Sequence, residues 1–154
     1  MSNSFLERGG LWVLGQSVLM IAVAALGLVF HRQRPPGATH RLGQALLVLG
    51  AVMGIAGVLL LGRNRTPFPK PRDDSRLVQT GIYGLVRHPL YASLIFVSFG
   101  WGLIQQSWPA LAAALALAVF FNAKALREER WLREKFPEYA EYEKRVRRFV
   151  PWIY

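Results

Sequence analysis

Cysteine is absent from this 154-residue chain, so disulfides, thiolate metal sites and cysteine nucleophiles are excluded, while the redox compartment stays undecided. Acidic residues are scarce too: 9 Asp and Glu stand against 19 Lys and Arg, a formal charge of +10. Asp73 and Asp74 are adjacent, but no further carboxylate or histidine lies near them in sequence. They read as a solvated turn, and no metal site is expected. A strand followed by Gly-x-Gly-x-x-Gly is also missing, which removes the Rossmann fingerprint for a nucleotide.

What the chain has in quantity is apolar surface, with 53% of its residues hydrophobic. A strong positive charge is compatible with nucleic-acid binding. Long uncharged apolar runs, however, are not how a basic groove is built, so no nucleic-acid partner is expected. The pattern is that of apolar spans separated by basic loops.

Residues 11–30 carry no charge and are long enough to cross a hydrocarbon core of roughly 30 Å. A cleaved signal peptide is the competing reading, but the run is too long and His31-Arg32-Gln33-Arg34-Pro35-Pro36 offers no small-residue cleavage site. Residues 42–62 form the second span. Its Gly43, Gly50, Gly54 and Gly57 share one narrow stripe at about 100° per residue, a surface for close approach of another helix within the fold or of a second copy of the chain. Spans three and four, about 89–105 and 108–126, form a hairpin around Gln105-Gln106-Ser107. Ala110, Ala114 and Ala118 give the fourth a small-residue face. The expected fold is therefore all-α and integral to the membrane: four transmembrane helices in one domain over 1–154, a loop at 63–91 and a C-terminal helical extension at 127–150.

Charge sets the orientation. Of the 19 basic residues, Arg8, the six from Arg63 to Arg87 and the nine from Lys124 onward share one side. Only Arg32, Arg34 and Arg41 fall on the other. The positive-inside rule places the richer side in the cytoplasm, against the mild conflict of those three arginines.

The functional stretch runs from Leu77 to Tyr91. Pro89 suits the first turn of a helix, so Arg87 and His88 stand at a helix start, where unpaired N–H groups and the positive end of the dipole favour an anion. Arg87 reaching to lipid phosphates would fit the same position. Counting back from the hairpin turn sets His88 level with about Ala125, with Lys124 beside it. Glu128 and Glu129 then lie roughly 3 to 6 Å further along the helix. Basic and acidic groups should face one interfacial pocket, unless they simply pair with each other. Beyond Phe136-Pro137 a second helix is expected, with Tyr139, Tyr142, Val146 and Phe149 on one face.

Taken in order, several motifs resemble the isoprenylcysteine carboxyl methyltransferase family, with the related phospholipid methyltransferases behind it. They are Leu77-Val78, Gly81-Ile82-Tyr83, Arg87-His88-Pro89-Leu90-Tyr91, the hairpin, Glu128-Glu129, Phe136-Pro137-Glu138-Tyr139, Tyr142 and Lys144-Arg145-Val146. The resemblance covers residues 60–151, and the first two spans match only in hydropathy. It implies S-adenosylmethionine as methyl donor, bound at the cytosolic interface by Leu77, Val78, Tyr83, His88, Pro89, Leu90, Tyr91 and Glu128. It also implies a lipophilic acceptor near Lys124, which stands where the isoprenylcysteine enzymes tend to have arginine and gives no bidentate grip.

The chemistry agrees with such a donor, whose carboxylate and ammonium call for a cation and an acid in one small site. A carboxylate acceptor, such as that of an isoprenyl-cysteine, needs only orientation by Arg87 or Lys124. An amine acceptor, as in phospholipid N-methylation, would give Glu129 work as a base. Both remain open. Two rival readings are an NADPH-dependent membrane sterol-type reductase and a non-enzymatic membrane subunit whose basic tail binds lipid heads. The reductases commonly carry Asn before the tyrosine and Gly-Glu after it, where this chain has Leu90-Tyr91 and Ala92-Ser93.

Overall fold

The computed structural model describes residues 5, 7–32, 35–71 and 74–154. Arg34, Arg72 and Asp73, used above for loop charge and the acidic turn, lie outside the described residues. The chain forms α1 (Gly10–Val29), α2 (Ala38–Leu61), α3 (Pro89–Ile104), α4 (Trp108–Lys135) and a short α5 (Tyr139–Arg145), with single 3-10 turns at Gly62–Asn64 and Gly81–Gly84. Among the described residues there is no strand, only an isolated parallel bridge between Val86 and Arg147.

Local chemistry accounts for the helix ends. Pro89 opens α3, and Ser107 caps α4 by accepting a hydrogen bond from the Ala110 N–H at 3.3 Å. α4 stops where Phe136, held in extended backbone, precedes Pro137, because the proline ring disfavours helix in the residue before it. α2 ends at Gly62, whose φ of 51° favours a residue without Cβ.

Three helices are long and apolar enough to cross a membrane: Gly10–Val29, Ala38–Asn64 and Trp108–Lys135. α3 has 16 residues. That is about 24 Å of helix against the roughly 30 Å of a hydrocarbon core. The fourth helix does not break at the end of its apolar run but continues through the charged segment to Lys135.

α3 is the centre of the bundle, with α2 on one side and the packed pair α1 and α4 on the other. The glycine stripe of α2 is what brings α3 close. A Cβ at Gly43 would stand 2.8 Å from the Gly100 carbonyl oxygen, and one at Gly50 2.8 Å from that of Ser93. At Gly57 it would meet Leu90 at 2.9 Å. The stripe is thus covered from within the chain by α3, the within-fold alternative of the two that the spacing left open. Outward-facing Leu14, Val18, Ile21, Val48, Val52, Ile55 and Leu59 stay exposed, as side chains facing lipid do.

The two ends of the bundle differ. At the hairpin end, the Arg32 N–H bonds to the Gln105 carbonyl and the Ser107 hydroxyl to that of Leu26, tying the hairpin to the first loop. At the other end the chain entry, the 62–88 loop and the C-terminal segment meet, with Arg8 over the Phe68 ring at 4.3 Å.

The C-terminal segment departs from expectation. A helix was expected to about residue 150, but it ends at Arg145, and Val146 adopts extended backbone. The reason lies at the start of α3. Arg87 and His88 precede the first helical turn, and their N–H groups find acceptors in the carbonyls of Arg147 and Arg148, at 2.8 and 3.0 Å. A segment that has left the helix can offer those carbonyls; a continued helix would have consumed them.

Candidate functional site

A cleft opens at the loop end of the bundle, between the start of α3, the last turns of α4, α5 and the 62–78 segment. Its residues come from distant parts of the chain through three devices. The 3-10 turn at Gly81–Gly84 drops Tyr83 inward, where its carbonyl accepts the Tyr142 hydroxyl at 2.5 Å. Leu77 packs against the Tyr139 and Tyr142 cluster. Lys135 holds Ser75 at 2.9 Å. All eight residues expected around the methyl donor line this cleft: Leu77 and Val78 on the loop, Tyr83 on the turn, His88, Pro89, Leu90 and Tyr91 at the start of α3, and Glu128 on α4.

The acidic pair divides. Glu128 faces the cleft and accepts the Tyr91 hydroxyl at 2.5 Å, with His88 Nδ1 3.9 Å away. Glu129 faces the other way and is fully buried. Its Oε1 accepts from Arg87 Nε at 3.1 Å, Arg87 Nη2 at 2.8 Å and Arg148 Nε at 3.0 Å, with His88 Nε2 at 3.2 Å. Its Oε2 accepts from Arg148 Nη2 at 2.9 Å. Arg87 also donates to the carbonyls of Glu143, at 3.1 Å, and Val146. Arg148 reaches Asn122 at 2.9 Å. A carboxylate so enclosed takes charge-assisted hydrogen bonds from both arginines and is fully buried away from the cleft.

Three expected site residues are paired within the protein. Arg87 and Glu129, expected to act on the acceptor, hydrogen-bond to one another and, with Arg148, tie the C-terminal segment to the start of α3. Lys124, expected to hold substrate, is 1% exposed and donates to Gln16 of α1 and to the Pro67 carbonyl at 2.9 Å. It fixes the proline-rich loop to the bundle and does not line the cleft. At the helix start the carbonyls of Arg147 and Arg148 occupy the N–H groups of Arg87 and His88.

Aromatic rings form the floor. His88 stacks on Tyr91 at 5.3 Å between centroids, and Tyr91 stacks on Phe121 at 5.0 Å. Burial raises the phenols of Tyr83, Tyr139 and Tyr142 above their ordinary value, so each stays protonated and able to donate. Sequence reasoning missed Arg148, which sits in the run Arg145 to Arg148 where nothing distinguishes one cation from another. It also missed Asn64, Ser75, Arg76 and Phe136 in the cleft wall. For these, only the approach of the loop to Tyr83 could have served as a signal. Among the described residues no group of His, Asp and Glu could hold a metal ion.

Fold and cleft define a helical membrane protein with a cleft at one end of its bundle. The model of the phospholipid methyltransferase family matches residues 38–139, and the chain belongs to that family. It is 40% identical over 81 residues to the cobalt-zinc-cadmium resistance protein CzcN of Cupriavidus metallidurans, a stretch that is 52% of this chain and 38% of that protein. Against protein-S-isoprenylcysteine O-methyltransferase B of Arabidopsis thaliana it is 31% identical over 116 residues, 72% of this chain and 58% of that one. It therefore spans well under two thirds of either relative. In fold it is similar to the eukaryotic intramembrane Ras methyltransferase ICMT (isoprenylcysteine carboxyl methyltransferase), with a TM-score of 0.66 and 22% identity over 94% of this chain and 52% of that one.

Proposed function

We propose that this protein transfers a methyl group from S-adenosylmethionine to a lipophilic acceptor at the cytosolic face of a membrane, the acceptor group being a carboxylate like that of an isoprenyl-cysteine. The observation that carries the reading is the convergence of eight residues, scattered from Leu77 to Glu128, on a single cleft at the loop end of the bundle. The donor set suits the cofactor. Glu128 presents an acid for the ammonium, Tyr83 and Tyr91 supply hydroxyls, and Leu77, Val78 and Leu90 offer apolar walls for a nucleoside.

When bound, S-adenosylmethionine supplies a methyl group on a positive sulfur, open to in-line displacement. The chain's own residues contribute alignment and dryness. Tyr91 orients Glu128, the stack of His88, Tyr91 and Phe121 gives a rigid floor, and the 75–78 segment roofs the cleft against water. An amine acceptor would need a base, and the acid expected to serve, Glu129, is enclosed by Arg87, His88 and Arg148. That favours a carboxylate, which is ionised at neutral pH and needs none. Sixteen of the 19 basic residues belong to the cleft's end of the chain, which supports a cytoplasmic site. α3 would then be a fourth, short crossing, with His88 and Gln105 at the two interfaces.

The test is calorimetric titration of the purified chain in detergent with S-adenosylhomocysteine, followed by radiolabelled methyl transfer into a farnesylcysteine analogue and into total membrane lipid. Binding, with label in the analogue, is expected. Label in phospholipid alone overturns the carboxylate assignment, and no binding overturns the whole reading.

A further inference from the structure

Two hydrogen-bond donors in the cleft wall have no acceptor among the described residues. The first is the Tyr139 hydroxyl. The residue is 1% exposed, it lines the cleft, and its oxygen has no partner. Leaving a buried hydroxyl unsatisfied costs free energy that a native fold normally avoids. Its neighbour Tyr142 shows the ordinary solution, donating to the Tyr83 carbonyl. The second is the Arg76 guanidinium. The Arg76 backbone N–H bonds to Asn64 Oδ1 at 3.1 Å, and the exposed side chain, which also lines the cleft, has no hydrogen-bond or ion-pair partner among the described residues. The other arginine of the cleft, Arg87, spends its donors on Glu129 and on two carbonyls.

Both donors are held on the same wall. Lys135 anchors Ser75, and Leu77 packs into the cluster of Tyr139 and Tyr142, so the residue between them is carried to the mouth of the cleft beside α5. The buried phenol O–H lacks an acceptor, and the exposed guanidinium beside the cleft mouth keeps its donors free for a ligand; an anionic oxygen such as a carboxylate matches both.

Resting on the methyl-transfer reading, we infer that Arg76 and Tyr139 form the carboxylate receptor of the cleft, the role that the sequence pattern pointed to in Arg87. The carboxylate belongs either to the amino-acid part of the methyl donor or to the acceptor, and one set of measurements separates these sources.

The experiment compares the full chain with Tyr139→Phe, Arg76→Gln and Arg76→Lys. It measures S-adenosylhomocysteine affinity by calorimetry, KM for a farnesylcysteine analogue at saturating donor, and ligand-free melting temperature. In Tyr139→Phe and Arg76→Gln, one of the two ligand constants should worsen by about tenfold, the loss expected for a hydrogen bond to a charged group, and Arg76→Lys should recover part of it. A change in S-adenosylhomocysteine affinity assigns the donor's carboxylate; a change in acceptor KM alone assigns the acceptor's. The ligand-free melting temperature of Tyr139→Phe should be unchanged or raised, because the variant removes a buried group that has no partner. Wild-type affinity and KM in both variants, or a lower ligand-free melting temperature for Tyr139→Phe, would overturn the inference while leaving the function reading intact. Absence of S-adenosylhomocysteine binding by the wild type removes both.

Discussion

Glu128 and Glu129 are neighbours on one helix, and the regions they face are built to opposite ends. On the Glu128 side is an open cleft whose polar groups are incompletely matched: the buried Tyr139 hydroxyl has no partner, and the exposed Arg76 guanidinium has none among the described residues. On the Glu129 side is a closed knot in which two arginines and a histidine converge on a single buried carboxylate. One residue step, about 100° around the helix, separates a surface for binding from a buried scaffold. The contrast shows that a paired acid motif need not share one role. The knot holds α3, α4 and the C-terminal strand in register, and the cleft exists because they are in register.

The largest expected effect comes from opening the knot. Glu129→Gln leaves Arg87 and Arg148 buried without a counter-charge, a loss of about 3–5 kcal/mol for breaking one partner out of a buried ionic cluster. The expected outcome is a large fall in melting temperature in detergent, together with early proteolysis of the 146–154 segment. A variant that melts with the wild type and keeps its C-terminus protected would show that the knot is not what holds the strand. Glu128→Gln is the matched experiment on the other side. It should leave melting nearly unchanged and weaken S-adenosylhomocysteine by about ten- to a hundredfold, the range for losing a hydrogen bond to a charged group. Equal effects of the two variants on stability would dissolve the distinction between the regions.

The bundle was largely legible in the sequence, because helix ends are written in local chemistry: Pro89, Ser107 and Phe136-Pro137 stand where the helices start and stop. The glycine stripe of α2 was legible as a contact surface, but its partner was not, since spacing cannot tell a neighbouring helix from a second copy. Counting back from the hairpin turn brought Arg87 and Glu129 together, with a shared pocket as the expectation and a plain salt bridge as the alternative. What decided between them was Arg148, whose place depends on an extended segment that a helical pattern of aromatics disguised. Lys124 illustrates the same limit. Its depth was right, and its partners, Gln16 and the Pro67 carbonyl, lie 108 and 57 residues away.

The smallest effect tests whether burial, and not pairing as such, distinguishes the knot. Arg133 grips Glu143 in nearly the same way that Arg148 grips Glu129, with Nε at 3.0 Å from Oε1 and Nη2 at 2.6 Å from Oε2. The difference is exposure: the Arg133 side chain is 44% exposed and that of Glu143 23%, against 13% for Arg148 and 0% for Glu129. Water and salt screen the outer pair, and two long side chains lose freedom to form it, so Arg133→Gln should cost only about 0.2–1 kcal/mol. Measured in low and in high salt, that small loss should shrink further, whereas the destabilisation of Glu129→Gln should persist because the Glu129 carboxylate is fully buried. If Arg133→Gln matched Glu129→Gln in size, the outer pair would have to be counted as part of the scaffold. Arg133 Nη2 also stands 3.9 Å from Glu129 Oε2, and that ion pair would then be the route by which the two are coupled.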